Sequence, residues 1–344
     1  MTQTAAPPAQ EAPAEKRSWW RDDASESVRR NLALVGVLVA LVVIGIITRP
    51  DLYGDSTWVR NNVFTILELA SVVGVVTVGM TFVIIGGGID LSVGAIVALA
   101  GVWCTTVATQ SYGAGGMIFC AVAVGVGVGV VNGILIAYGR LVAFIATLAM
   151  MVAARGLAAQ ISDKQTQVST SRFINDIAAT DLLGIPLLVY ILAAVVAGGW
   201  VLLNRTTFGR RTVAIGGNVE AARLAGINVR RHTLMLYALS GLCCGIAAIM
   251  LTSQANSAQA AMANLYELDA IAAAIIGGTL LSGGRGTIVG SLLGVLVFAT
   301  ITNLFAINNL STEAQNMVKG GIIVAAVLVQ QVQYKSLSQF FRRT

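Results

Sequence analysis

The sequence predicts an all-α polytopic membrane protein with about ten transmembrane helices and with cytoplasmic N- and C-termini. Of its 344 residues 56% are hydrophobic and only 11% are charged, whereas soluble domains carry about 25% charged residues. Its apolar runs are near the ~20 residues that a helix needs to cross a bilayer. Lysine and arginine also concentrate in alternate gaps between these runs, as expected for loops on the cytoplasmic side.

Ten apolar runs qualify as candidate transmembrane helices. The run at 268–281 is short, and the run at 91–109 follows glycines directly, so either can form a broken or re-entrant helix. In chain order the ten runs are 31–48, 63–85, 91–109, 116–138, 142–161, 183–203, 233–252, 268–281, 287–305 and 315–331.

The distribution of basic residues predicts the orientation. With the N-terminus inside and the helices alternating, sixteen of the 22 Lys and Arg residues fall on the cytoplasmic side and four on the outer side. The other two, Arg155 and Lys319, lie within predicted helices. A four-to-one excess inside agrees with the positive-inside rule.

Three regions follow from this pattern. Residues 1–30 are predicted to be a disordered, basic cytoplasmic segment, because their first half is rich in Ala, Pro, Gln and Thr. Residues 31–331 form the permeation domain, and residues 332–344 form a short cytoplasmic tail. No small-residue cleavage signal follows the first apolar run, so that run is predicted to be an uncleaved anchor.

The internal segment 204–232 carries six arginines and cannot lie in lipid, so it is predicted to be a cytoplasmic loop. Within it, Asn218 can cap a short helix by accepting a backbone N–H, and Glu220 suits the first turn. Gly226 can end that helix in a left-handed conformation. Charge alone favours a basic topology anchor, and a docking surface for a partner is the alternative.

The stretch 86–94, GGGIDLSVG, interrupts an apolar run with three glycines followed by an aspartate. Asp90 is either an N-cap of the next helix, together with Ser92, or part of a translocation path. The other polar residues of the runs are candidates for the same path, because intramembrane polar groups usually face a bundle interior. The predicted path residues are Glu68, Asp90, Ser92, Asn132, Thr147, Asp269 and Asn303.

Two basic residues inside the runs also need partners. Arg155 and Lys319 can pair with Glu68, Asp269 or Glu313, or can line a hydrophilic pathway.

Several classes of function are disfavoured. The single histidine, His232, lies in the basic segment, which argues against a histidine-based zinc site or a Ser–His hydrolase. The chain has no phosphate-binding GxxxxGK[ST] motif. The basic residues lie in the gaps between apolar runs without interleaved aromatics, which disfavours nucleic acid as a partner. The four cysteines, Cys104, Cys120, Cys243 and Cys244, are predicted to be buried apolar residues.

Glycines predict close packing of helices. Gly125, Gly129 and Gly133 recur every four residues and form a ridge that lets another backbone approach, and 241–245 and 290–294 repeat the spacing. The residues IIGG at 84–87 recur at 275–278, which is weak support for an internal duplication.

Three long stretches carry a resemblance to a known family. They are GMTFVIIGGGIDLSVGAIVALAG (79–101), FGRRTVAIGGNVEAARLAGINVRRH (208–232) and GGTLLSGGRGTIVGSLLGV (277–295). In sequence and order they resemble the permease subunit of bacterial ABC importers for monosaccharides, the ribose/xylose/arabinose/galactoside permease family. Residues 1–30 match no part of that pattern.

The resemblance implies a coupling role for the short helix, which would rest in a groove of a separate ATPase. It places Gly217, Asn218, Glu220, Ala221, Ala222, Arg223 and Gly226 at that contact. It also implies ATP and Mg²⁺ bound by the ATPase and no cofactor on this chain, which is then no enzyme itself. Further implied partners are an extracytoplasmic sugar-binding protein, near segments 50–62, 162–181 and 253–267, and a second permease copy or a paralogous permease. The setting would be the lipid bilayer of a bacterial inner membrane.

The predicted function is inward transport of a monosaccharide, ribose-like by default, by alternating access. The first alternative is a branched-chain amino-acid-type ABC permease, but GGGIDLSVG is more similar to the sugar class. A secondary transporter would instead follow an ion gradient and need no ATPase. An intramembrane enzyme is disfavoured because the runs contain no histidine.

Overall fold

The computed structural model describes residues 19–341, with the side chains of 28–328, as a bundle of helices. Seven of these helices are long and apolar enough to cross a membrane, which confirms the predicted polytopic α-helical class. In chain order the elements are α1 (Trp19–Thr48), α2 (Pro50–Tyr53), α3 (Ser56–Ile85), α4 (Val93–Cys104), α5 (Val107–Gln110), α6 (Gly113–Ala137), α7 (Ala143–Ile161), β1 (Gln167–Val168), α8 (Arg172–Ala179), β2 (Asp181–Leu182), β3 (Ile185–Pro186), α9 (Leu187–Arg205), α10 (Thr207–Gly217), α11 (Val219–Leu224), α12 (Val229–Ala255), β4 (Ser257–Ala258), α13 (Tyr266–Ile276), α14 (Ile288–Ile307) and α15 (Thr312–Phe341).

The seven candidate spans are α1, α3, α6, α7, α9, α12 and α14. The other three predicted runs correspond to α4, α13 and α15. Helices α4 and α13 have 12 and 11 residues, about half of what a bilayer requires, so both are shorter than the predicted runs. Thr105 ends α4 and the short helix α5 follows, so the predicted run 91–109 is broken.

Two short antiparallel strand pairs depart from the purely helical prediction. Strand β1 pairs with β4, and β2 pairs with β3 in a tight hairpin. Leu183 and Gly184 form the hairpin turn with φ of 54° and 77°. The predicted helix start at 183 is therefore wrong, because these left-handed residues delay α9 until Leu187.

The ends of the chain extend the predicted helices. Helix α1 already includes residues 19–30, and α15 continues through 332–341, so part of each predicted terminal segment is helical. Predicted disorder at 1–18 and the last tail residues lie outside the described part of the chain.

Helix α3 is the centre of the bundle. In its most apolar window 83% of the residues are buried, against 11% for α1. Met80 of α3 packs in one buried apolar cluster with Ile96 of α4, Met117 of α6 and Met250 of α12. Helix α1 instead exposes residues such as Val39 and Ile47, as expected for a lipid-facing helix.

The predicted glycine ridges pack as expected. A Cβ on Gly125 would overlap the Gly241 carbonyl, and a Cβ on Gly129 would overlap the Tyr237 carbonyl, so α6 and α12 touch through their backbones. A Cβ on Gly294 would likewise overlap the carbonyl of Ala273, which brings α14 against α13.

The basic segment 204–232 is largely helical, which corrects the prediction of a loop with one small helix. Helix α9 extends to Arg205, and α12 begins at Val229. Helix α10 lies between them and was not predicted. Thr206 starts it by accepting a hydrogen bond of 3.4 Å from the Gly209 N–H.

Candidate functional site

Helix α11 is a six-residue helix with the predicted ends. The Asn218 side chain accepts a hydrogen bond of 2.9 Å from the Ala221 N–H and so caps the N-terminus. Gly226 has a φ of 79° and lies just beyond the last turn. The Ile227 N–H then donates to the Ala222 carbonyl at 3.1 Å, which closes the C-terminal turn. These short-range features fix the helix independently of any partner.

One face of α11 is exposed and the other is held by the chain. Ala222 is only 4% exposed, so its methyl group packs inward and does not lie on the outer face. Leu224 is 88% exposed and Val219 is 48% exposed. Glu220 and Arg223 form an exposed ion pair of 2.6 Å between them. The outward face therefore combines two apolar side chains with a charge pair that is worth little for folding.

Sequence reasoning missed Leu224 and Val219 as candidates for the outer face. A leucine in a segment with six arginines could have indicated this exposed apolar face, because no lipid covers an apolar side chain on a short surface helix. The other predicted coupling residues, Gly217, Asn218, Ala221 and Gly226, are all exposed around the same helix.

Helix α10 anchors α11 to the bundle. Thr212 Oγ1 lies 2.8 Å from His232 Nε2 at the start of α12. The Phe208 ring packs on the His232 ring with centroids 4.5 Å apart and on the Phe82 ring of α3 at 6.0 Å. His232 is 5% exposed and is thus a packing residue at the helix junction. Through α10, helix α11 is therefore connected to the two spanning helices α3 and α12.

A second polar cluster surrounds Asp90, in the connection between α3 and α4. The Ser92 N–H and Oγ donate to Asp90 Oδ1 at 3.0 and 2.6 Å, and Ser240 Oγ of α12 donates to Oδ2 at 3.1 Å. Asn132 of α6 donates to Ser92 Oγ at 2.8 Å. All four side chains are 0% exposed, so the cluster ties α3, α4, α6 and α12 together.

Thr147 joins the same connection from α7. Its hydroxyl donates to the Ala143 carbonyl at 2.9 Å and also reaches the Ile89 carbonyl at 3.4 Å. Four of the predicted path residues thus meet around 89–92, and the path role of each stays a prediction. Asp90 accepts a hydrogen bond from the Ser92 N–H and so orders the turn before α4. Ser92 is the N-cap residue of that helix.

The other three predicted path residues lie elsewhere. Lys319 of α15 donates to Asp269 Oδ2 of α13 at 3.1 Å, so the predicted pairing of Lys319 is confirmed for Asp269. Asn303 is 5% exposed, and its Oδ1 accepts no hydrogen bond within the described part of the chain. Glu68 is half-buried on α3.

Arg155 binds backbone oxygens instead of the predicted carboxylates. Its guanidinium donates to the carbonyls of Ala260, Met262 and Ala263 at 2.7, 2.6 and 3.2 Å. These residues belong to the connection between α12 and α13, so Arg155 fastens that connection to α7. The positive charge of Arg155 is thus stabilised by hydrogen bonds to three carbonyl oxygens.

Two grooves on the chain are apolar. One of about 460 Å³ lies between α4, α6 and α7 against Trp103, Val128 and Leu157, and one of about 400 Å³ lies between α1 and α14. Neither is lined by any of the seven predicted path residues. Apolar walls suit lipid chains better than a hydroxyl-rich ligand.

Comparison with known proteins gives a consistent set of matches. A family model described as "Branched-chain amino acid transport system / permease component" matches residues 62–327. The chain is similar to the ribose import permease protein RbsC of Escherichia coli (strain K12), with 37% identity over 306 residues, 86% of this chain and 92% of that protein.

Two further relatives cover slightly less of the chain. The ribose import permease protein RbsC of Bacillus subtilis (strain 168) is 42% identical over 274 residues, 78% of this chain and 84% of that protein. The L-arabinose ABC transporter permease protein AraH of Azospirillum brasilense is 38% identical over 273 residues, 78% of this chain and 80% of that protein. No solved structure matches the chain.

Proposed function

Because the chain belongs to the branched-chain amino acid transport system / permease component family, we propose that it is the membrane subunit of an ATP-driven ABC importer. Its substrate is a monosaccharide, ribose-like by default, and it moves that sugar into the cytoplasm by alternating access. The proposal is supported above all by the capped and exposed helix α11, which α10 connects to the spanning helices α3 and α12 within the matched region.

The choice of a sugar rests on the relatives. The family model is named for branched-chain amino acids, whereas the similar proteins are named for ribose, arabinose and galactofuranose, which are all sugars. The match to the E. coli ribose permease extends over 92% of that protein, so the likeness includes nearly all of its length. Ribose and arabinose are both pentoses, which makes a pentose-sized sugar the first ligand to assay.

The energy source is a separate ATPase. The sequence has no phosphate-binding loop of its own. Val219 and Leu224 present an apolar surface in water on α11, and such a surface fits a groove on a partner protein. ATP and Mg²⁺ belong to that partner, and this chain contributes the docking helix.

The arrangement in the membrane follows from the charges. In the proposed arrangement the chain crosses the membrane ten times, with α4 and α13 as short helices held inside the bundle, and α10, α11 and both termini lie in the cytoplasm. Helix α8 and the β2–β3 hairpin then face outward, towards a sugar-binding protein. The polar passage is expected between two permease chains, either two copies or a paralogous pair. The setting is a bacterial inner membrane.

Reconstitution tests the proposal. The chain is placed in proteoliposomes with an ABC ATPase and a sugar-binding protein from the same organism, and uptake of radiolabelled ribose, arabinose and leucine is measured with and without ATP inside. ATP-dependent uptake of a sugar is expected. Uptake of leucine would support the amino-acid alternative, and uptake that follows an ion gradient without the ATPase would identify a secondary transporter.

A further inference from the structure

We propose that three glycine backbones, at Gly87, Gly216 and Gly284, form the junction through which a displacement of α11 reaches the transmembrane helices. We call these three residues the glycine junction. They are positioning residues, because they act through the helices that they connect and not through contact with the sugar. The inference rests on the proposed docking of α11 to an ATPase.

Gly216 brings the end of α10 against the end of α3. It lies two residues before the Asn218 cap of α11. A Cβ on Gly216 would overlap the Ile85 carbonyl oxygen and would lie 2.5 Å from the Gly284 nitrogen. Only a hydrogen atom fits there, so the main chains touch without an intervening side chain.

Gly284 brings the connection between α13 and α14 to the same point. Its N–H donates to the Ile85 carbonyl at 2.8 Å. It has a φ of 78°, and a Cβ on it would lie 2.9 Å from the Gly217 Cα. The neighbouring Gly283 would bring a Cβ within 3.0 Å of the Gly87 Cα. Three chain segments that are distant in sequence therefore meet backbone to backbone.

Two glycine turns at helix ends have the same construction. At the end of α3, Gly87 has a φ of 83° and its N–H donates to the Ile84 carbonyl at 2.9 Å. At the end of α13, Gly278 has a φ of 87° and its N–H donates to the Ile275 carbonyl at 2.8 Å. The repeated IIGG sequence thus encodes one hydrogen-bonded, left-handed helix end twice.

This construction suits the transmission of movement. Side chains can absorb a displacement by changing rotamer, whereas interlocked backbones with bonded turns move as one body. Beyond Gly87 the chain enters the Asp90 cluster, which holds α4, α6 and α12. A push on α11 therefore reaches the end of α3, the connection between α13 and α14, and the start of α4 together.

The substitution Gly216→Ala tests the junction, because its methyl group must separate α10 from α3. Two matched controls are available. Gly198→Ala in α9 has no atom within 4 Å of the new Cβ, and Gly125→Ala creates a comparable backbone overlap between α6 and α12, away from the junction. Each variant is assembled with the ATPase and the binding protein in proteoliposomes.

Three quantities are measured for each complex: the amount of ATPase that co-purifies, the stimulation of ATP hydrolysis by sugar-loaded binding protein, and sugar uptake. For Gly216→Ala we expect normal co-purification and a loss of stimulation and of uptake of about fivefold or more, the lower end of typical coupling between sites. Gly198→Ala is expected to resemble wild type. Gly125→Ala is expected to lower the yield of complex while the stimulation per complex stays normal.

Wild-type stimulation and uptake in the Gly216→Ala complex would overturn the inference and leave the proposed function intact. A wild-type chain that neither binds nor activates the ATPase would overturn the proposed function, and the inference with it. If Gly216→Ala does not assemble, amide hydrogen exchange on the wild-type complex decides. Addition of ATP should then change protection in 82–90 and 279–288 together with 216–226, and a change confined to 216–226 would refute the junction.

Discussion

Ser240 on α12 donates a hydrogen bond of 3.1 Å to the carboxylate of Asp90, which follows the glycine turn at the end of α3. Both side chains are 0% exposed. The bond links two parts of the chain separated by 150 residues, and the same carboxylate orders the turn before α4 through Ser92. Asp90 therefore acts as a buried polar centre for the cytoplasmic ends of several helices in the proposed orientation.

The first prediction concerns that centre. The substitution Asp90→Ala leaves the buried hydroxyls of Ser92 and Ser240 without their acceptor, and we expect it to lower the free energy of unfolding by roughly 2–4 kcal/mol. Ser240→Ala removes one bond, and about 1 kcal/mol is expected. Unfolding in mixed micelles measures both changes. Normal stability with abolished uptake for Asp90→Ala would instead favour a direct place in the translocation path.

A second prediction concerns the ion pair between Asp269 and Lys319. The two side chains are 13% and 19% exposed, so removal of one charge leaves the other poorly solvated. We expect Lys319→Met to lower the free energy of unfolding by on the order of 3 kcal/mol, and the double variant Lys319→Met/Asp269→Asn to recover most of that loss. If the double variant stays as unstable as the single one, the attraction between these charges is not what fastens α15 to α13.

The local features of α11 could be predicted from the sequence because they depend on neighbouring residues. Asn218 and Gly226 cap a helix through contacts within a few positions, and the structure contains both caps. Helix α10 was missed because its arginines suggested a loop, although Thr206 is a preferred N-cap residue and does cap it. Leu224 was missed because exposure depends on which face of the helix packs against the bundle.

Long-range pairings could be predicted only as alternatives. The sequence offered Glu68, Asp269 and Glu313 as partners for Arg155 and Lys319, and the packing of α15 against α13 selects Asp269 for Lys319. Arg155 instead binds three carbonyls. Every residue has a backbone carbonyl, so the sequence does not indicate which of them an arginine binds. The family resemblance was predictable because 79–101, 208–232 and 277–295 are long motifs, and all lie within the matched region.

A third prediction concerns the orientation of the chain. Leu224 and Leu183 are 88% and 91% exposed, so a cysteine at either position is accessible to a reagent. In a background whose four native cysteines are replaced by alanine, Leu224→Cys should react with an impermeant maleimide only in inside-out vesicles without the ATPase. Leu183→Cys should react only in right-side-out vesicles. The opposite pattern would invert the proposed topology and remove α11 from the cytoplasm. Ala222 does not suit this experiment because its side chain is buried.

The last prediction concerns the outward face of α11. Leu224 makes little contact with its own chain, so Leu224→Asp should leave the free energy of unfolding within about 0.5 kcal/mol of wild type. If the Leu224 side chain fills a groove on the ATPase, burial of a carboxylate there should cost about 2 kcal/mol or more of binding free energy. This cost corresponds to a roughly 30-fold larger dissociation constant. Titration of the purified ATPase onto the chain in nanodiscs measures this constant.

Leu183→Asp is the matched control, since it places the same charge at an equally exposed leucine in the β2–β3 hairpin. Equal weakening by both variants would indicate a non-specific effect of charge, and unchanged affinity for Leu224→Asp would move the docking contact away from the end of α11.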